Sequence, residues 1–112
     1  MQKFQYRSPR FVADLPVQFA AEQSTLHGRC RDISRDGMGL ELQQPLSPNS
    51  SGTISLSHRG RQLQLGVRVA YSAESHEGLE FIYRSDRERA AVGQLVASLG
   101  SLPGRPRLVL LK

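Results

Sequence analysis

The chain has 112 residues, of which 38% are hydrophobic and 6% aromatic, and it contains no tryptophan. This composition predicts one globular domain with a modest aliphatic core and excludes a second domain. The formal net charge is +5, and the excess lies at both ends, since Lys3, Arg7 and Arg10 precede the first acid, Asp14, and no acid follows Glu88. Such a local excess of positive charge favours phosphate-bearing partners.

Cysteine usage and hydropathy exclude several classes of protein. Cys30 is the only cysteine, so no disulfide can form within the chain, and no set of cysteines and histidines has the spacing of a zinc site. We therefore predict no metal, a reducing compartment, and a Cys30 that is buried like Leu26 of the same parity. Residues 1–7 lack the apolar stretch of a signal peptide and no run approaches a membrane span. These features predict a cytoplasmic domain, alone or within a larger protein.

Apolar and polar residues alternate along most of the chain with the period of half-buried strands. The predicted strands lie, in order, around Leu15–Phe19, Thr25–Ile33, Met38–Gln43, Thr53–Ser57, Leu63–Tyr71 and Leu79–Tyr83, with a loop over 45–52 and a polar turn over 72–77. Pro16 predicts that the first strand lies at a sheet edge, because proline has no N–H for a second ladder. Tyr71 falls on the apolar parity of the fifth strand, which predicts that it faces the core.

The pattern changes to a helical one at Ser85. Residues 85–88, Ser-Asp-Arg-Glu, form a capping-box sequence, and apolar residues then follow at helical spacing at Val92, Leu95, Val96 and Leu99. Gly100 is a suitable helix end, and the apolar tail beyond it, residues 101–112, is either a packed tail, an added strand or a contact with a partner. Six strands and one amphipathic helix predict a mainly β fold, a small antiparallel barrel or curled sheet whose open side the helix covers.

One short segment carries the chemistry. Residues 32–37 read Asp-Ile-Ser-Arg-Asp-Gly. A carboxylate such as that of Asp32 accepts hydrogen bonds from the N–H groups of guanine, the Ser34 hydroxyl gives or accepts one, and Gly37 permits a close backbone approach. The same D-x-S-x-x-G string also describes an ordinary turn between two strands.

With Arg7 and Arg10 upstream of Leu15-Pro16-Val17, the order of features from about Tyr6 to Leu99 resembles the PilZ domain family, bacterial receptors for cyclic di-GMP. The resemblance implies a six-stranded antiparallel β-barrel with a C-terminal α-helix. We divide the chain into a basic ligand-binding arm (1–13), the barrel (14–84), the helix (85–100) and the tail (101–112).

The resemblance implies ligand-binding roles for Arg7, Arg10, Asp32, Ser34 and Gly37. The D-x-S-x-x-G motif is complete, whereas the family's R-x-x-x-R motif is not: with Arg10 as its second arginine, the first position is Tyr6, and the residue before it is Gln5. Arg7 lies one place too late and substitutes only if the arm shifts by a residue.

Several functions are consistent with these residues. The leading interpretation is a cyclic di-GMP receptor whose arm and surface change on binding and regulate a protein partner or a fused domain. The alternative is a PilZ-like adaptor that has lost the ligand. A basic barrel that binds nucleic acid is disfavoured, because most aromatic residues fall on apolar parity. An enzyme is not expected, since His27, His58 and His76 are scattered and belong to no triad or metal motif. Cyclic di-GMP is the expected ligand, and no cofactor, nucleic acid or membrane span is predicted.

Overall fold

The computed structural model describes residues 9–100 and 108–109, which contain seven strands and one helix. In chain order these elements are β1 (Arg10–Ala21), β2 (Ser24–Ile33), β3 (Gly37–Glu41), β4 (Ser51–His58), β5 (Arg61–Ala73), β6 (His76–Ile82), α1 (Asp86–Gly100) and β7 (Leu108–Val109). No helix in this part of the chain is long and apolar enough to span a membrane.

Six of the strands close into a ring. β1 pairs antiparallel with β2 along most of its length and with β4 over Val17–Ala20, and the sheet continues from β2 through β3, β6 and β5 to β4. Because β1 joins both ends of this sheet, the ring covers the edges that an open sheet would expose. The predicted six-stranded antiparallel barrel with a C-terminal helix is confirmed.

The core combines inward-facing strand residues with one face of α1. The buried apolar residues of the six barrel strands are Ala13, Val17, Phe19, Cys30, Ile33, Met38, Leu40, Ile54, Leu56, Leu65, Val67, Val69, Leu79 and Phe81. The helical stripe Val92, Leu95, Val96 and Leu99 is buried with them, as predicted. The buried position predicted for Cys30 is also confirmed, and desolvation there raises the pKa of its thiol to about 12.

Two hydrogen bonds made by Glu88 fix the start of α1. Ser85 Oγ accepts from Glu88 N at 3.2 Å, and Glu88 Oε1 accepts from Arg84 N at 2.8 Å. The serine therefore caps the helix as predicted, while the glutamate bonds the backbone one residue earlier than a standard capping box requires.

β1 is not an edge strand, so the prediction from Pro16 was wrong. Pro16 lies opposite Arg29 of β2, and the ladder between β1 and β4 begins one residue later, at Val17. Proline is tolerated there because it lies just outside the second ladder. β1 also begins at Arg10, so residues 10–13, which we assigned to the arm, belong to the first barrel strand. Residues 1–8 of the arm lie outside the described residues.

The connection between β5 and β6 is shorter than the polar turn predicted over 72–77. Pairing runs to Ala73 and resumes at His76, so Glu77 lies within β6, where its side chain is fully buried. Neither Glu77 carboxyl oxygen has a hydrogen-bond partner among the described residues. An unpaired buried polar group of this kind reduces stability.

Part of the tail forms an added strand. β7 pairs antiparallel with the first two residues of β1, Arg10 opposite Val109 and Phe11 opposite Leu108. Of the three alternatives for the tail, these two residues take the added strand. Residues 101–107 and 110–112 lie outside the described part of the chain.

Candidate functional site

A β-bulge in β2 turns Asp32 to the outer face of the barrel. Cys30 pairs with Leu40 and Asp32 with Gly39, so two steps along β2 match one step along β3. Without the bulge, Asp32 would share the inward parity of Cys30. With it, the Asp32 side chain is 31% exposed and Ile33 takes the buried position.

Arg10 is held against the two polar side chains of the motif. Arg10 Nε and Nη2 donate to Asp32 Oδ1 at 3.1 and 2.9 Å, and Gly39 N donates to the same oxygen at 3.2 Å. Arg10 Nη1 also donates to Ser34 Oγ at 3.4 Å. The Arg10 side chain is only 15% exposed, so its guanidinium is fixed by these contacts on the barrel surface.

Ser34 and Gly37 form the turn that supports this pair. Ser34 N donates to Gly37 O at 2.9 Å, and Ser34 Oγ accepts from Asp36 N at 3.0 Å. Gly37 lies so close to β6 that a Cβ would be 2.0 Å from the carbonyl oxygen of Leu79, which leaves room only for glycine. Ser34 is 1% exposed. Ser34 and Gly37 of the motif therefore stabilise the turn between β2 and β3, as such residues do in an ordinary turn.

A platform of two glycines extends from Asp32 across the outer face. Asp32, Gly39, Gly78 and Tyr71 lie in one row across β2, β3, β6 and β5. The Asp32 carboxylate packs over Gly39: a Cβ added to this glycine would be 3.0 Å from Asp32 Oδ1. The Tyr71 ring packs over Gly78 in the same way, since a Cβ added there would be 2.1 Å from a ring carbon. With about 4.8 Å between strands, the row is about 14 Å long. A carboxylate bounds the platform at one end and an aromatic ring at the other.

The prediction that Tyr71 faces the core was wrong. Val69 pairs with Leu79 and Tyr71 with Gly78, so a second bulge, in β5, turns Tyr71 outward and leaves it 55% exposed. Apolar residues alternate along β5 without interruption as far as Tyr71. The sequence therefore gives no local signal of this bulge.

The bulge at Asp32 did leave a signal in the sequence. Asp32 has the same parity as the buried Cys30, while the apolar Ile33 has the opposite parity. A carboxylate on a buried parity next to an apolar residue on an exposed one indicates that the register shifts between them.

Tyr83 connects the motif loop to the helix. It follows β6 instead of ending it, and its hydroxyl donates a hydrogen bond to the carbonyl oxygen of Arg35. Desolvation raises the pKa of Tyr83 to about 12, so the hydroxyl keeps its proton at neutral pH. The Arg89 guanidinium of α1 lies 4.6 Å from the centre of the Tyr83 ring. The loop between β2 and β3 is thus attached to the first turns of α1.

The structure brings together three of the five residues for which the resemblance implied ligand contact. Arg10, Asp32 and Ser34 are in direct contact, and Gly37 closes the turn beneath them. Arg7 lies outside the described residues. Among the residues that the structure describes, no group of three or more His, Cys, Asp or Glu is placed to hold a metal ion.

The structure is thus a small closed barrel with an arginine–aspartate pair on its outer face. The profile of the PilZ domain family matches residues 5–98, and the chain belongs to this family, whose members are generally receptors for cyclic di-GMP and are not enzymes. No curated protein matches the chain significantly.

Solved structures share the fold at low identity. The PilZ domain of CeSA from a cellulose-synthesizing bacterium is 22% identical with a TM-score of 0.73, and the alignment covers 80% of this chain and 96% of that one. The PilZ domain of YcgR from Escherichia coli, solved with cyclic di-GMP, is 18% identical with a TM-score of 0.72 and coverage of 85% and 92%. The Bacillus subtilis inhibitor of motility, MotI/DgrA, is 21% identical with a TM-score of 0.67, and this chain spans 53% of its length.

Proposed function

We propose that this protein is a cyclic di-GMP receptor whose ligand lies on the outer face of the barrel, between Arg10 and Tyr71. The contact of Arg10 with both Asp32 and Ser34 is the observation that supports this most directly, because it assembles the motif side chains around one cation. Regulation of a protein partner or fused domain, and a cytoplasmic location, are part of the proposal.

The chemistry of the two charged residues suits this ligand. Cyclic di-GMP carries two phosphates and two guanines. The planar guanidinium of Arg10 can donate in pairs to a phosphate or to O6 and N7 of guanine. The Asp32 carboxylate can accept from guanine N–H groups. In the present conformation the two side chains bond each other, so the arginine is already positioned beside the acceptor.

Tyr71 supplies an aromatic surface for a base. One face of its ring rests on Gly78, and the residue is 55% exposed. Base stacking on an aromatic ring contributes about 1–3 kcal/mol. We assign Tyr71 to one guanine; Gly39 and Gly78 have no side chains of their own, so the Asp32 carboxylate and the Tyr71 ring can lie over them.

The second candidate function is a protein adaptor that does not bind the ligand. The specific observation in its favour is the incomplete R-x-x-x-R motif, in which Tyr6 and Gln5 stand where the family has arginines. Each missing charge-assisted contact lowers affinity about ten- to a hundredfold.

Calorimetric titration with cyclic di-GMP tests the proposal. The receptor predicts saturable binding that Arg10→Ala and Tyr71→Ala each weaken about tenfold or more, while Tyr71→Phe keeps the affinity because the ring remains. Arg29→Ala is the matched control, since Arg29 also pairs with an aspartate, Asp14, at 2.6 Å but on an exposed part of the surface. If the Arg29 and Arg10 variants lost equal affinity, the loss of one positive charge would explain the result and a specific contact of Arg10 with the ligand would not be needed. No binding by the folded wild-type protein would favour the adaptor.

A further inference from the structure

A cleft separates α1 from the hairpin of β4 and β5, apart from the ligand platform. Its volume is about 620 Å³, within the range of pockets that hold a small ligand. Leu56 and Leu63 from the hairpin and Ala91 and Leu95 from the helix form its apolar part. We call it the helix–hairpin cleft.

Polar contacts fix the two walls of this cleft. Arg61 Nη1 donates to Gln94 Oε1 at 2.6 Å, and Ser98 Oγ lies 3.5 Å from His58 Nε2. The hairpin turns through two residues only, Arg59 and Gly60, both with positive φ, which is the geometry of a tight primed turn. The cleft is therefore preformed, with its cationic residues held at the end of a short hairpin.

The charge of the cleft has one sign. Arg59 and Arg61 line it, and no aspartate or glutamate does. The pKa of His58 is lowered, first by desolvation and then by the charge of Arg59, so at neutral pH the two arginines supply the charge. An arginine beside an apolar surface selects a partner with a carboxylate next to an apolar side chain.

We propose that the helix–hairpin cleft docks a segment of a protein partner that carries apolar anchor residues flanked by acidic side chains. The chain's own tail lacks the complementary charge, since residues 101–112 contain three basic residues and no acidic one. The partner's carboxylates pair with Arg59 and Arg61, and its apolar anchors cover Leu63 and Ala91, which are only half-buried. This docking does not depend on cyclic di-GMP.

Two synthetic peptides test this docking by NMR titration of the ¹⁵N-labelled protein without cyclic di-GMP. Both are amphipathic helices of about 12 residues with the same leucine face. At all the remaining positions, one peptide carries glutamate and the other carries lysine. The glutamate peptide should give saturable shifts confined to the β4–β5 hairpin and to residues 91–98. It should bind at least about tenfold more tightly than the lysine peptide.

Three variants give the result its specificity. The double substitution Arg59→Glu with Arg61→Glu should invert the preference between the peptides, and Ala91→Trp should abolish binding of both by filling the cleft. Arg84 and Arg87 lie outside the cleft, so the double substitution Arg84→Glu with Arg87→Glu is the matched charge control and should leave the preference unchanged. If Ala91→Trp does not fold, the inversion alone decides.

Other outcomes overturn the proposal. Absence of saturable shifts, equal affinity for the two peptides, or shifts located on the ligand platform would each show that the cleft does not select an acidic segment. Concentration-dependent shifts of the cleft residues without any peptide would assign the cleft to a second copy of the chain.

Discussion

The pairing of Arg10 with Asp32 should make a measurable contribution to stability. Asp32 Oδ1 accepts two hydrogen bonds from the Arg10 guanidinium at 2.9 and 3.1 Å. Hydrogen bonds to charged groups contribute about 1.5–3 kcal/mol. Because the Arg10 and Asp32 side chains are still 15% and 31% exposed, solvent screening reduces this value. We expect a coupling free energy of about 1–2 kcal/mol between the two residues.

A double-mutant cycle in urea measures this coupling. Arg10→Ala and Asp32→Ala should each lower the free energy of unfolding by about 1–3 kcal/mol. The Asp32 variant should lose more, since it also leaves Gly39 N without its acceptor. The double variant should lose less than the sum of the two single losses.

The salt dependence and a control pair complete this test. The coupling should shrink between about 0.1 and 1 M salt, where the Debye length falls from about 10 to 3 Å. The same cycle on Arg31 and Glu41, a more exposed pair at 2.7 Å, should give about 0.5 kcal/mol or less. If the coupling of Arg10 with Asp32 is no larger than that of the control pair, the arginine is not held on the barrel surface and the positioned site is refuted.

Three further predictions concern other parts of the chain. Tyr6→Arg restores the R-x-x-x-R spacing with Arg10, so calorimetry should show cyclic di-GMP affinity rising about tenfold; no gain in a variant that binds the ligand would contradict a missing arginine contact. Glu77→Met replaces a buried carboxyl without a described partner by an apolar chain of similar length and should raise the free energy of unfolding by about 1–3 kcal/mol; a lower urea midpoint would show that Glu77 has a stabilising partner. The Cys30 thiol, with its pKa raised from 9.0 to about 12 by burial, should react with a thiol reagent at neutral pH only after unfolding. Because the thiol ionises in the unfolded chain at a lower pH than in the native protein, the contribution of Cys30 to the free energy of unfolding should fall as pH rises from 9.0 towards about 12. Fast labelling of the native protein would contradict the buried position of Cys30.

Local patterns in the sequence determined most of the secondary structure and the fold class. Two-residue alternation gave the strands, because one face of each is buried in the barrel. The Ser85 cap and the stripe from Val92 to Leu99 gave the helix, because capping and helical periodicity act over a few residues. The D-x-S-x-x-G segment gave the turn at Ser34 and Gly37, since its hydrogen bonds lie within four residues.

Only the tertiary structure decided which strands are central and that the side chains of Asp32 and Tyr71 lie on one face. β1 is paired on both sides despite Pro16, because closure of the ring depends on partners distant in sequence. Asp32 and Tyr71 share the outer face because a bulge in each strand shifts its register against a neighbour, and a shift of one residue exchanges inside for outside. The contact of Arg10 with Asp32 joins residues 22 positions apart. Such placements follow from pairing between strands. The parities of Asp32 and Ile33 indicate one of the two shifts, but the residues along β5 do not indicate the other.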